Sequence, residues 1–136
     1  MVARPHHLLV IDDEPFIGRI VQLEFEQGPY RVSTASDGDE GLAFLRAHPD
    51  VDLVLLDVNM PSRSGLEVLA EAKGDPALGK LPFVVLTAAG QPAYADRARS
   101  LGAAAFLTKP FSPKKLRRQV AAILGEAPDD GAPEAT

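Results

Sequence analysis

The stretch Val51–Pro61, VDLVLLDVNMP, decides the reading of this chain. Val51, Leu53, Val54, Leu55 and Leu56 make a short, partly β-branched apolar run without polar alternation, which suits a strand covered on both faces. Such strands belong to parallel sheets flanked by helices. Asp57 then stands where the strand would leave the sheet, and in open α/β sheets ligands bind in the crevice beyond the carboxyl ends of the strands. A carboxylate at that position is a candidate for chemistry.

Working outward, His7–Ile11 reads as a buried strand that ends in Asp12-Asp13-Glu14. Pro15 opens a helix with apolar positions at Phe16, Ile17, Ile20, Val21, Leu23 and Phe25, stopped by Gly28-Pro29. Tyr30–Ala35 alternates as a second strand, Asp37-Gly38 makes a turn, and Gly41–Ala47 makes a second helix. Beyond the opening stretch, Pro61–Ser64 is a loop, Gly65–Lys73 a third helix, Leu81–Thr87 a fourth buried strand and Ala93–Leu101 a fourth helix closed by Gly102. Ala103–Leu107 gives a fifth strand. Thr108-Lys109-Pro110-Phe111 then turns into Ser112, an N-cap with Pro113 at the first helical position, and a fifth helix runs to Leu124. Strands and helices alternate five times, the α/β pattern of a doubly wound parallel sheet. Right-handed crossovers put helices on both faces.

Composition narrows the class. The 136 residues, 46% hydrophobic and 24% charged, suit one soluble globular domain, expected over residues 1–125. No apolar run approaches the ~20 residues that cross a bilayer, and the N-terminus does not read as a signal peptide, so the expected location is cytoplasmic, with no membrane partner. Zero cysteines exclude disulfides, thiolate metal sites and cysteine nucleophiles. The net charge is −5, and because four of the acids, Glu126, Asp129, Asp130 and Glu134, lie in the tail, the body stands at about −1. That balance argues against direct nucleic-acid binding, which needs a basic footprint. The tail 126–136, rich in Pro, Ala, Gly and acids, reads as a disordered end or the start of a linker.

Functional groups collect at the strand ends: Asp12 and Asp13 after the first, Asp57 after the third, Thr87 after the fourth and Lys109 just after the fifth. A parallel sheet brings these ends to one edge. If the first and third strands are neighbours, three carboxylates meet in one crevice, where like charges need a cation. Oxygen-only ligands at a water-accessible site favour Mg²⁺ (or Mn²⁺), and with Lys109 the formal charge then sums to about zero. Such a site suits a phosphoryl group, with Asp57 as nucleophile, Thr87 donating a hydroxyl to a phosphoryl oxygen and Lys109 pairing with another. The small Ala88 and Ala89 leave room for the group to enter.

Asp12-Asp13, Asp57 in DVNMP, Gly65 after PSRS, Thr87-Ala88 and Lys109-Pro110-Phe111 together resemble the receiver domain of bacterial response regulators, the CheY-like superfamily, over about residues 7 to 124. The resemblance implies a flavodoxin-like (βα)5 fold with sheet order 2-1-3-4-5. It implies a phosphorylation switch in a two-component phosphorelay and not a metabolic enzyme. Asp57 would accept phosphate from a sensor histidine kinase or histidine phosphotransfer protein. Asp13 would bind Mg²⁺ directly, Asp12 largely through water, and Asn59 through its backbone carbonyl. Thr87 and Lys109 would contact the phosphoryl group, Lys109-Pro110 would be a cis peptide bond, and Phe106 would turn inward as Thr87 moves. With Phe at this position, that switching would rest on packing without hydroxyl hydrogen bonds. Asn59 and Ala89 hold positions that tune self-dephosphorylation in the family. The output is expected through the fourth helix, fifth strand and fifth helix, onto a downstream protein target or an effector domain.

Ala104-Ala105 stands where winged-helix regulators often carry an acidic pair, whereas KPFSPKKL resembles that class, so a monomer and a weak phosphorylation-dependent dimer both stay open. Rival classes fare worse. A haloacid dehalogenase-type phosphatase needs a second Asp where Asn59 stands, and a flavin or nucleotide carrier needs a phosphate loop that DDEPFIG lacks. A receiver used only as a constitutive binding module would not need the intact acceptor and metal residues. His6, His7 and His48 read as surface or strand-edge residues. Lys114, Lys115, Arg117 and Arg118, with Arg97 and Arg99, read as a solvated basic face, the alternative being a docking surface for an acidic partner.

Overall fold

A computed structural model describes residues 4–61, 63–88 and 92–125. The expectations for Ala89 and for the tail 126–136 lie outside the described residues. Five strands and five helices alternate: β1 (His6–Ile11), α1 (Pro15–Phe25), β2 (Tyr30–Ala35), α2 (Gly38–Ala47), β3 (Leu53–Asp57), α3 (Gly65–Lys73), β4 (Phe83–Ala88), α4 (Pro92–Ser100), β5 (Ala105–Lys109) and α5 (Pro113–Leu124). All pairings are parallel, in the order β2-β1-β3-β4-β5. This is the doubly wound, flavodoxin-like sheet.

The apolar runs explain the layering. Alternate residues of each central strand point to opposite faces, and helices cover both. Leu8, Val10, Leu53, Leu55, Val84 and Leu86 pack with Ile17, Val21 and Phe25 of α1 and Leu116 and Val120 of α5. Leu9, Ile11, Val54, Leu56, Phe83 and Val85 pack with Leu42 and Leu45 of α2, Leu66, Val68, Leu69 and Ala72 of α3, and Ala98 of α4. β3 is buried along its whole length, so burial holds Asp57 at the centre of the sheet edge.

Several boundaries differ from the sequence reading. α2 begins at Gly38 because Asp37, read as part of a turn, caps it by accepting from Glu40 N–H at 2.8 Å. β3 begins at Leu53, since Val51 N–H closes a turn onto His48 O at 3.2 Å. β4 runs Phe83–Ala88 because Leu81 N–H is taken by Leu78 O. β5 is two residues later than expected: Ala103 N–H donates to Ala98 O and finishes the turn after α4, and the register then pairs Ala88 with Lys109. Lys109 is therefore the last residue of a strand, more firmly placed than a loop residue.

Two side-chain readings also change. His7 is buried, 1% exposed, with Nδ1 2.9 Å from Asp50 Oδ2, Nε2 2.7 Å from Ser33 Oγ and its ring edge-on to Phe44. Its partners lie on β2 and in the loop before β3, which a linear reading does not bring together. Arg117 is not on the solvated face; its guanidinium lies over the rings of Phe25 and Tyr30 and pairs with Glu24. Phe16 and Leu23 of α1, read as part of that helix's apolar pattern, are exposed.

Candidate functional site

Asp12, Asp13 and Asp57 each present a carboxylate oxygen within 4.8 Å of the others. The topology makes this meeting, because β1 and β3 are neighbours and end side by side, Ile11 pairing with Leu56. Asp12 and Asp57 are buried, 6% and 1% exposed, while Asp13 faces water. The crevice thus has a dry floor and an open mouth.

Asp57 Oδ1 accepts from Asn59 N–H at 3.0 Å and lies 3.4 Å from Lys109 Nζ. Burial is the main cause that pushes the Asp57 carboxyl up to about 6; Asn59 N–H opposes it, the Asp12 charge adds to it and Lys109 pulls it back. Asp12 Oδ1 accepts from Glu14 N–H at 2.9 Å. Asp12 Oδ2 is buried and sits 2.9 Å from Lys109 Nζ in an ion pair, with no other hydrogen-bond partner.

Lys109 reaches this group because β5 runs through Lys109, and the Lys109–Pro110 peptide bond that follows is cis. Burial works against its charge, but contacts with Asp12 and Glu14 and the charge of Asp57 outweigh it and raise its pKa. Glu14 is the participant that the sequence reading missed as a site residue: its Oε1 is 2.9 Å from Lys109 Nζ. The visible signal was a third acid directly after Asp12-Asp13.

Thr87, buried, and Ala88 end the neighbouring β4, where Asp57 pairs with Leu86. Thr87 Oγ1 donates to Ala88 O at 3.3 Å, and Ala88 N–H donates to Asn59 Oδ1 at 3.2 Å. Phe106 lies farther along, half-buried on β5, in a cleft of about 320 Å³ that Thr87, Ala88, Ala95 and Thr108 also line. The Arg99 guanidinium covers its ring at 5.0 Å.

The donor set fits a hard divalent cation. Its ligand atoms are all oxygen, they lie within 4.8 Å of one another, and two of the three carboxylates are buried. Four carboxylates around one ammonium also leave a formal excess of negative charge that a small cation would offset.

The family model for the response regulator receiver domain matches residues 8–121. This chain belongs to that family. The receiver domain is 38% identical to the response regulator SaeR of Staphylococcus aureus (strain USA300) over 110 residues, 81% of this chain and 46% of that protein. It is 37% identical over 121 residues to the protein named probable transcriptional regulator ycf27 of Cyanidium caldarium, covering 89% of this chain and 47% of the other. It therefore spans about half the length of the curated relatives it matches. Among solved structures, chemotaxis response regulator CheY4 of Vibrio cholerae superposes with a TM-score of 0.80 at 28% identity, over 88% of this chain and 98% of that one. The receiver domain of NtrX from Brucella abortus gives 0.80 at 30% identity, over 88% and 99%. The receiver domain is thus homologous to two-component response regulators and is a signalling domain. Among the described residues, no helix is long and apolar enough to cross a membrane.

Proposed function

We propose that this receiver domain is the phosphoacceptor of a two-component phosphorelay, with Asp57 as the acceptor. The observation that carries the reading is the buried Asp57 carboxylate, 3.4 Å from Lys109 Nζ and converging with Asp12 and Asp13 at the sheet edge. An Asp57 oxygen attacks the phosphorus of a phosphohistidine on a sensor histidine kinase or histidine phosphotransfer protein. The O–P bond forms as the P–N bond breaks, and the electron pair leaves on the imidazole nitrogen, which takes a proton from solvent.

Asp12, Asp13, Asp57 and the carbonyl of Asn59 would hold Mg²⁺. When bound, the ion supplies positive charge beside the transferring oxygens and offsets repulsion between the donor and the carboxylates. Lys109 neutralises a phosphoryl oxygen, Thr87 turns its hydroxyl from Ala88 O toward another, and the small Ala88 admits the group. As Thr87 turns, Phe106 moves into the cleft beside it, and the surface of α4, β5 and α5 changes shape. That surface addresses a downstream protein or an effector domain of a longer protein, as a monomer or a weak phosphorylation-dependent dimer, with no direct nucleic-acid contact by this domain. Location in the cytoplasm agrees with such a relay.

An amide NMR titration with Mg²⁺ and then beryllofluoride, on wild type and Asp57→Asn, tests the reading. Shifts that need Mg²⁺, spread from Asp57 to Thr87 and Phe106 and vanish in the variant are expected. Silence in both proteins would sink it.

A further inference from the structure

We infer that Glu14 is a positioning residue of the acceptor site: it holds Lys109 at the end of β1 and releases it when a phosphoryl group arrives. The inference rests on the phosphoacceptor reading and deepens it. One ammonium is shared among three carboxylates, at 2.9 Å from Asp12, 2.9 Å from Glu14 and 3.4 Å from Asp57. Its two tightest contacts are with acids that do not take the phosphoryl group. An ammonium has three N–H bonds and this one already faces three carboxylates, so an oxygen added on Asp57 competes with contacts in place.

Exposure decides which contact yields. The Asp12 side chain is 1% exposed and that of Glu14 is 46% exposed. Water can replace Lys109 at Glu14 with little loss, whereas the same exchange at Asp12 would strand a buried charge. Glu14 is therefore the contact that exchanges.

The backbone shows that Glu14 is built into the site and not spent on the helix. It occupies the N-cap position of α1 without a side-chain capping bond, and Pro15 follows at the first helical turn. Its N–H instead donates to Asp12 Oδ1 at 2.9 Å while its carboxylate reaches Lys109 across 95 residues of chain. One residue thus ties one carboxylate and the cation of the site together. In the resting state Lys109 is occupied, and a donor must compete with Glu14 for it.

The test compares Asp57 phosphorylation by acetyl phosphate at saturating Mg²⁺ in wild type, Glu14→Gln and Glu14→Asp. Gln keeps the shape and loses the charge; Asp keeps the charge and loses the reach. Both variants are expected to lower the half-saturating donor concentration by about two- to fivefold, the range of an exposed ion pair, with the limiting rate unchanged. The Lys109 Nζ signal, followed by nitrogen NMR in the metal-free protein, is expected to shift in both and is independent of phosphorylation. A response in Gln alone would mean that rim charge acts without the contact, and would overturn the inference. So would unmoved kinetics in both variants, or a loss of Mg²⁺ affinity of about tenfold or more, which would make Glu14 part of the metal shell. A wild type that takes up no phosphate overturns the acceptor reading and this inference with it; a phosphorylated wild type with unmoved variants overturns this inference alone.

Discussion

The side-chain oxygen of Asn59 accepts the N–H of Ala88 at 3.2 Å, joining the loop after Asp57 to the end of β4. The backbone N–H of Asn59 meanwhile donates to Asp57 Oδ1 at 3.0 Å. One residue therefore ties the acceptor carboxylate to the strand that carries Thr87, with two hydrogen bonds connecting Asp57 to Ala88.

Removing that tie has a local, measurable effect. In Asn59→Ala the Ala88 amide loses its acceptor, and its hydrogen-exchange protection is expected to fall by about three- to tenfold, as loss of a bond worth about 1 kcal/mol implies. Amides in the middle of β3 should keep theirs. Unchanged exchange at Ala88 would show that the tie contributes nothing.

Gly65 is expected to accept a side chain only at a cost in stability. A Cβ there would collide with the Asp57 carbonyl oxygen and lie 2.8 Å from the carbonyl carbon, because α3 starts directly against the backbone of the acceptor. These are backbone atoms in a packed site and cannot swing aside. Gly65→Ala should cost about 1–3 kcal/mol in urea unfolding and should move the amide signals of Asp57 and Val58.

The raised carboxyl of Asp57 sets a pH dependence for the metal-free chain. Its ordinary value is 3.8, and burial first of all pushes it up to about 6, so the folded chain holds this proton more tightly than the unfolded one. Its contribution to stability is present below the unfolded value and is lost as pH rises toward 6, by an amount of the order of 2–3 kcal/mol. Asp57→Asn should flatten the stability profile in that window and be more stable than wild type at pH 7.5 when both are measured in EDTA. An identical slope in the two proteins would contradict this.

Adding Mg²⁺ should reverse that order. A ligand that binds only the folded chain raises its stability by RT ln(1 + [L]/Kd), about 2.7 kcal/mol at a hundredfold excess over Kd. Wild type should show a rising thermal midpoint across a Mg²⁺ titration and Asp57→Asn little change. Equal gains in both would place the ion elsewhere.

His7 should behave as a core residue. His7→Ala would remove a buried ring and leave Ser33 Oγ and Asp50 Oδ2 without it, at an expected cost of about 2–4 kcal/mol in denaturant unfolding. A loss below about 0.5 kcal/mol, the size of an ordinary surface change, would contradict its role.

By itself the sequence determined the alternation of strands and helices and the residues at the strand ends. Apolar runs such as LVLLD bury themselves wherever helices can cover them, and parallel strands put their carboxyl ends on one edge. Asp12, Asp13, Asp57, Thr87 and Lys109 could therefore be named from periodicity and position. Boundaries were less legible, since the start of α2 hangs on the Asp37 cap and that of β5 on the Ala103 N–H, each a single hydrogen bond. Only the tertiary structure decided that Glu14 shares Lys109, that Asn59 holds Ala88, and that His7 is buried against Ser33 and Asp50. Those pairs lie 95, 29, 26 and 43 residues apart along the chain. Their side chains meet through strand order and register, and a polar residue's partner across such a distance leaves no periodic trace in the sequence.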